Sequence, residues 1–261
     1  MSTPNGGAAT RLRSLHVPGH PLVLPNAWDA ASARAVVAAG FPVVATGSAA
    51  VARALGYDDG ENTPVAEMLA AVARITRAVP VPVTADMERG YGLPPAELAE
   101  RVAEAGAVGV NLEDSDPRTG ELIDPTKQED FLAAVRAADP TLVINARADT
   151  FIHGTGTPEA RLAEAVDRGR RYIRAGADCV YPILATDPTA IATLVTEIAA
   201  PVNVYLAQGM PTIPDLATLG VARISFGGSL HTATQTYLTS LLTAIASNGA
   251  PDGWSRRDKQ E

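Results

Sequence analysis

The sequence predicts a single α/β domain over residues 1–261, a (β/α)8 barrel of the TIM type. Eight short apolar runs rich in Val and Ile recur along the chain. Most are continuous rather than alternating, as in strands buried on both faces of a parallel sheet. The length of 261 residues is close to that of such a barrel, about 250. The predicted strands are Leu22–Asn26, Val43–Gly47, Val81–Met87, Gly109–Asp114, Leu142–Asp149, Cys179–Leu184, Val202–Ala207 and Arg223–Gly227.

The segments between these runs carry helix signals. Residues Pro158–Ala175 place apolar side chains on one stripe, and the i,i+4 pair Glu164/Arg168 is expected on the solvent side. A second helix is predicted over Pro95–Ala105, between a proline suited to the first turn and a glycine suited to the C-terminal cap. A helix end, a glycine and a strand recur several times, which supports a repeated β/α unit.

An open, doubly wound sheet is the competing architecture, because it also alternates strands and helices. No Gly-x-Gly-x-x-Gly motif opens the first helix, so the barrel is favoured. Within it, residues 1–19 are predicted to form an N-terminal extension with a helix, and residues 248–261 a polar tail.

Composition excludes several classes of function. The formal net charge is −8, with Lys and Arg scattered along the chain, so no basic surface for nucleic acid is predicted. Apolar runs are far shorter than the roughly 20 residues that span a bilayer, and Met1–Thr10 lacks the apolar centre of a signal peptide. A single cysteine, Cys179, cannot form an internal disulfide. We therefore expect a cytoplasmic protein with no membrane partner.

Charged and polar residues cluster where the predicted strands end. In a barrel these ends meet at one mouth, where active sites lie. Several carboxylates at one mouth repel each other unless a cation lies among them, and oxygen ligands favour Mg²⁺ first and Mn²⁺ second. Arg147 either grips a substrate carboxylate or forms a buried structural ion pair. The strand ends are Asn26, Gly47-Ser48, Asp86-Met87-Glu88, Glu113-Asp114, Arg147-Ala148-Asp149 and Gly227-Gly228.

The four histidines show no metal-ligand spacing and are interpreted as structural or surface residues. They are His16, His20, His153 and His231.

Five segments taken in order resemble the phosphoenolpyruvate mutase/isocitrate lyase superfamily. The resemblance covers residues 20–240, and its most specific part is Asp-x-Glu-x-Gly-Tyr-Gly followed by Leu-Glu-Asp. The segments are Leu24-Pro25-Asn26-Ala27-Trp28-Asp29, Thr46-Gly47-Ser48, Ala85-Asp86-Met87-Glu88-Arg89-Gly90-Tyr91-Gly92, Asn111-Leu112-Glu113-Asp114 and Asn145-Ala146-Arg147-Ala148-Asp149-Thr150-Phe151.

The resemblance implies a Mg²⁺ or Mn²⁺ site in which Asp86 is the carboxylate nearest the metal. Glu88 and Glu113 would hold the metal through coordinated water. The resemblance also implies that the metal and the groups around it stabilise the enolate of a small carboxylic acid.

The resemblance also implies the groups that handle the substrate. Backbone N–H groups around Gly47 and Ser48 resemble oxyanion donors, and Arg147 resembles the residue that grips the substrate carboxylate. Asn111 is expected in the substrate site. Asp58 resembles the acid of a mobile loop that closes over the site, so Asp58, Ser48 and Arg147 are the expected catalytic residues.

Two departures from the superfamily pattern narrow the function. The Lys-[Lys/Arg]-Cys-Gly-His motif of the isocitrate and methylisocitrate lyases is replaced by Ser115–Leu122, which has neither cysteine nor histidine. Cys179 begins a strand and is expected in the core. The phosphonate enzymes have a Lys-Thr-Asn loop at this place, where this chain has Arg118-Thr119-Gly120. They also have a histidine near the end of the sixth strand, whereas this chain has none near Tyr181.

Three functions remain open. The first is a Mg²⁺-dependent lyase that cleaves a C–C bond of an oxaloacetate-like 2-oxo or 2-hydroxy acid. The second is a mutase or hydrolase acting on the P–C bond of phosphonopyruvate, and the third is a non-catalytic ligand-binding relic. The resemblance further implies a homotetramer, a dimer of swapped dimers, in which the helix Leu230–Ala246 is exchanged between barrels.

Overall fold

The computed structural model describes residues 6–247, which form a parallel α/β barrel. The predicted tail over 248–261 and the first five residues lie outside the described residues. Each pairing between the strands is parallel, as predicted. The strands are β1 (Leu22–Leu24), β2 (Asn26–Ala27), β3 (Val44–Thr46), β4 (Val83–Asp86), β5 (Gly109–Glu113), β6 (Val143–Ala148), β7 (Cys179–Pro182), β8 (Asn203–Tyr205) and β9 (Arg223–Ser225).

The first predicted strand is divided at Pro25. Residues before it, in β1, pair with β9, whereas residues after it, in β2, pair with β3. Proline has no N–H to donate to a neighbouring strand, so the ladder is interrupted there. This division closes one side of the barrel, and a bridge between Val180 and Val202 links β7 to β8 on the other.

Helices surround the strands, and the predicted helices end within one residue of their observed limits. They are α1 (Gly6–Ser14), α2 (Ala30–Ala38), α3 (Ser48–Leu55), α4 (Val65–Ala78), α5 (Pro95–Glu104), α6 (Pro125–Ala138), α7 (Thr150–His153), α8 (Pro158–Arg174), α9 (Pro188–Ile198), α10 (Ile213–Thr218) and α11 (Ser229–Ala246). Within residues 6–247, none of these helices is long and apolar enough to cross a membrane.

The main core lies between the strands and the inner faces of the helices. On α4, Met68, Val72 and Ile75 are fully buried, at the helical spacing that places them on one face. Leu98 and Val102 do the same on α5. Each such side chain contributes about 1.5–3 kcal/mol through burial, so these stripes hold the helices against the barrel.

The two ends of the barrel have different chemistry. At the N-terminal ends of the strands, Asp178 accepts from Arg13 Nε at 2.6 Å and from Arg136 Nη2 at 2.7 Å. Its carboxylate also accepts from the Ile144 N–H at 2.8 Å. This cluster ties α1 and α6 to the strands, and groups at this face of a barrel serve stability.

The structure corrects the predicted position of Arg168 on α8. The Glu164–Arg168 pair forms at 2.9 Å, but Arg168 is only 3% exposed rather than on the solvent side. Its guanidinium reaches inward to the buried Asp114 carboxylate at 3.0 Å. An arginine stem is long enough to cross the helix surface, so a helix-face pattern alone does not locate its charge.

Candidate active site

A cavity of about 280 Å³ opens at the C-terminal ends of the strands. Five predicted site residues line it: Gly47, Ser48, Asp86, Asn111 and Arg147. The remaining lining residues are Asn26, Ala49, Asp59, Tyr181, Ile183, Leu184, Tyr205, Ser225, Gly227 and Gly228. Its volume is just below the usual range for ligand pockets, roughly 300–1,000 Å³, so it suits a small acid.

Asp86 ends β4 and is held by the start of α3. Its Oδ2 accepts from the Ser48 backbone N–H at 3.0 Å and from Ser48 Oγ at 3.1 Å. The Asp86 N–H in turn donates to Thr46 Oγ1 at 2.9 Å. The Ser48 N–H, predicted to be an oxyanion donor, is therefore engaged by Asp86 in this structure. Oδ1 of Asp86 keeps its capacity to bind.

Glu88 follows β4 in a left-handed backbone conformation, with φ of 47°. Non-glycine residues adopt this region rarely, and such strained positions cluster at functional sites. The Glu88 carboxylate accepts from the Glu61 N–H at 2.8 Å and from the Tyr91 hydroxyl. Glu88 is 3% exposed and does not line the cavity. It joins the loop after α3 to the loop after β4.

Arg147 ends β6 between two carboxylates. Its Nη1 lies 2.6 Å from Glu113 Oε2, and its Nε lies 2.6 Å from Asp149 Oδ1. A third bond joins Nη2 to Asp149 Oδ2 at 3.2 Å. The structural ion pair considered for Arg147 is thus present. A guanidinium has five N–H donors, so two remain for a ligand in the cavity.

The positive charge near the cavity does not fully offset the cost of burying its carboxylates in the ionised form. Burial, followed by the nearby charges of Asp86 and Asp59, raises the pKa of Glu88 to about 7. Burial also raises the pKa of Asp86 and of Glu113, although Arg147 opposes both shifts. A cation at this end of the barrel would stabilise the ionised forms.

Asp114, the second acid at the end of β5, belongs to a structural network. It is fully buried and accepts from Arg168 Nη1 at 3.0 Å and from the Tyr172 hydroxyl at 2.6 Å. Its other oxygen accepts from the Asp149 N–H at 2.8 Å. Asp114 therefore secures the position of Asp149, which in turn holds Arg147.

The loop after α3 presents a different acid from the predicted one. Both acids are exposed, but Asp59 lines the cavity and Asp58 does not. The prediction for Asp58 rested on its place in a polar loop, and two adjacent acids cannot be told apart by that signal. The role of Asp58 stays a prediction, and Asp59 is added to it. Tyr181 and Tyr205 were also missed, because hydroxyls at strand ends carry no motif.

The donor set fits a hard divalent ion bound largely through water. Within residues 6–247, no three Asp, Glu, His or Cys side chains are placed to hold a metal directly. Asp86 offers a free oxygen next to the cavity, with Glu88 and Glu113 behind it. Mg²⁺ usually keeps several waters and takes only one or two protein carboxylates, so this arrangement suits it.

The predictions for cysteine and histidine are confirmed. Cys179 is fully buried, and burial raises its pKa to about 12, so it is not a reactive thiol. His16 and His231 are buried away from the cavity lining, and His20 and His153 are exposed.

Comparisons with known proteins identify the family of this chain. The family model for phosphoenolpyruvate phosphomutase matches residues 12–246. An uncharacterized protein of Mycobacterium tuberculosis is 37% identical over 219 residues, which are 84% of this chain and 82% of that protein. Phosphoenolpyruvate phosphomutase of Streptomyces hygroscopicus is 32% identical over 233 residues, covering 82% of this chain and 72% of the enzyme.

A solved structure is similar in fold, and a further relative is similar in sequence. The crystal structure of a "putative phosphonomutase" from Burkholderia cenocepacia superposes with a TM-score of 0.86 at 42% identity, covering 90% of this chain and 99% of that one. The 2-methylisocitrate lyase of Halalkalibacterium halodurans is 30% identical over 67% of this chain and 59% of that enzyme. The chain belongs to the phosphoenolpyruvate mutase/isocitrate lyase superfamily, a group of TIM-barrel enzymes that includes lyases and phosphonomutases.

Proposed function

We propose that this protein is a Mg²⁺-dependent lyase, with Mn²⁺ as an alternative ion, that cleaves a C–C bond of a small oxaloacetate-like 2-oxo or 2-hydroxy acid. The observation that carries the proposal is the free oxygen of Asp86 beside a cavity of about 280 Å³, with Glu88 and Glu113 behind it. Divalent metal supplies charge stabilisation where an enolate oxygen develops.

The chain's own groups orient the acid. The two remaining N–H groups of Arg147 would bind a substrate carboxylate, and the Glu113 and Asp149 bonds hold the guanidinium still. The first turn of α3 lies at the cavity, where Ala49 is a lining residue. N–H groups in a first helical turn lack intrahelical partners, so this end favours a developing oxyanion. When a 2-oxo acid such as oxaloacetate is decarboxylated, CO2 leaves and the electron pair of the broken C–C bond passes to the 2-oxo oxygen held there.

The lining charge favours a carboxylic acid over a phosphonate. Arg147 is the sole cationic side chain among the described residues that line the cavity, and two carboxylates already balance it. Phosphonopyruvate carries a carboxylate and a phosphonate dianion, one more negative charge than oxaloacetate, so it would need further positive charge. P–C bond cleavage or transfer remains the second candidate, because the Streptomyces phosphomutase matches over most of this chain.

A substrate panel tests these candidates. We expect purified enzyme with Mg²⁺ to consume oxaloacetate or a related 2-oxo or 2-hydroxy acid, and excess EDTA to abolish turnover. Products are measured by NMR, so that pyruvate or oxalate is identified directly. Conversion of phosphonopyruvate instead would establish P–C chemistry. Oxalate binding in Mg²⁺ without turnover of any panel member would identify a ligand-binding relic.

The same resemblance and the exposure of α11 lead us to propose a homotetramer with exchanged α11 helices. Within α11, His231 is the one buried residue, and the helix contains no charged side chain. Tyr237 is 60% exposed and Leu242 is 56% exposed. An uncharged helix with large apolar side chains in water is an interaction surface. A second copy of this chain, offering the same helix in return, is its proposed partner.

We expect Leu238→Glu to convert the tetramer to smaller species, because the introduced charge would be buried in the interface. Light scattering after size exclusion measures the mass. Thr236→Glu, on the opposite face of α11, is the matched control and should leave the mass unchanged. A wild-type monomer at micromolar concentration would disprove the proposed exchange.

A further inference from the structure

Arg223 lies inside the barrel without an acidic partner. It is fully buried in β9, and within residues 6–247 no carboxylate lies within ion-pair distance of it. Burying a cation without a counter-charge is costly, so its contacts need a reason. Nη2 of Arg223 donates to Asn111 Oδ1 at 3.1 Å, and Nη1 lies 3.5 Å from His16 Nε2.

This contact determines which way the Asn111 amide faces. A guanidinium has donors but no acceptor, so the Asn111 atom that meets it must be the carbonyl oxygen. Asn145, the register neighbour of Asn111 on β6, donates from Nδ2 to the same oxygen at 2.8 Å. A flipped Asn111 amide would set its N–H groups against those of the guanidinium, so Arg223 excludes it. Asn145 alone does not, because its own unpartnered oxygen could accept if both amides flipped.

The nitrogen of Asn111 is consequently turned away from Arg223. Asn111 lines the cavity on the same row as Asp86, its register partner on β4. Among the described residues, none accepts a hydrogen bond from Asn111 Nδ2, and this atom is not among the fully buried unpartnered groups. The amide therefore offers N–H donors to the cavity.

We propose that Asn111 binds substrate as a hydrogen-bond donor and that Arg223 is the positioning residue that fixes this orientation. The inference rests on the proposed function and adds that the hydrogen bond runs from the Asn111 amide to the substrate. The group that Asn111 meets must be an acceptor, such as a carboxylate or enolate oxygen. Arg223 also places a buried positive charge behind the amide, which favours a ligand oxygen with negative charge.

The central test is Asn111→Asp, which has nearly the same shape. One oxygen of the introduced carboxylate can accept from Arg223 and Asn145, so thermal stability should be kept or raised. Its second oxygen faces the cavity and repels an anion. We expect oxalate affinity in Mg²⁺, measured by calorimetry, to fall at least about 10-fold, equivalent to about 1.4 kcal/mol.

Arg223 is tested by a pair of variants. Arg223→Met should lower oxalate affinity because Asn145 alone then holds the Asn111 amide, and the two amides can flip together. Arg223→Lys should restore part of the affinity by returning one donor. Cys179→Ala is the matched control, because Cys179 lies on the same barrel row, is fully buried and does not bond to Asn111. It should reduce stability without changing oxalate affinity.

The outcomes separate this inference from the proposed function. Wild-type oxalate affinity in Asn111→Asp would overturn the inference and leave the proposed function in place. Absence of Mg²⁺-dependent oxalate binding in the wild type would overturn the proposed function. In that case melting temperatures still test the contact between Arg223 and Asn111. Asn111→Asp should melt at a higher temperature than Asn111→Leu, because only the introduced aspartate accepts from Arg223 and offsets its charge. The reverse order would overturn the Arg223–Asn111 arrangement.

Discussion

Asp86→Ala should abolish Mg²⁺-dependent oxalate binding, with a loss of about 100-fold or more in affinity, because it removes the cavity oxygen that we propose binds the metal. The fold should remain intact. Burial raises the pKa of Asp86, which means that the folded protein does not favour its charged form. Calorimetric titration with oxalate in Mg²⁺, together with thermal melting, measures both effects.

Two variants control this experiment. Asp86→Asn keeps an acceptor for Ser48 and removes only the charge, so it should lose metal-dependent binding with little effect on melting. Asp130→Ala removes an exposed carboxylate on α6 and should bind oxalate as the wild type does. Normal oxalate affinity in Asp86→Ala would remove Asp86 from the proposed metal site.

Asp59→Ala should lower kcat by on the order of 100-fold, the range for a positioned acid–base group. Asp59 lines the cavity in the loop between α3 and α4, where it can exchange a proton with the reacting acid. Asp58→Ala is its natural comparison, since the neighbouring acid does not line the cavity. We expect Asp58→Ala to approach the same loss only if closure of the loop turns Asp58 inward.

Loop closure itself can be measured by proteolysis. If the segment Tyr57–Asn62 closes over the ligand, cleavage there should be slowed by Mg²⁺ with oxalate. Glu61 provides a reason for coupling, because its N–H donates to Glu88 beside the proposed metal site. If kcat is unchanged in both Asp58→Ala and Asp59→Ala, and if the rate of proteolysis is the same with and without ligand, this segment is an ordinary surface loop.

Much of the site could be located before the fold was known. The parallel strands of a barrel all have their C-terminal ends at the same mouth. The polar residues that terminate the predicted strands were therefore expected to be neighbours. This reasoning placed Ser48, Asp86 and Arg147 at one mouth, and the structure has them at one cavity. Asn111, which also lines the cavity, was expected there from the resemblance to the superfamily. It does not distinguish adjacent loop residues such as Asp58 and Asp59, because loop backbone direction is not encoded by a local apolar pattern.

The sequence by itself determined the barrel, its strands and the mouth, because continuous apolar runs and helical stripes are local consequences of burial. Tertiary structure alone decided which polar and charged side chains meet between different elements. Arg168 leaves its helix face for Asp114, and Arg223 meets Asn111 across 112 positions of sequence. Such contacts depend on the direction of long side chains in a packed interior. Spacing along the chain does not specify that direction.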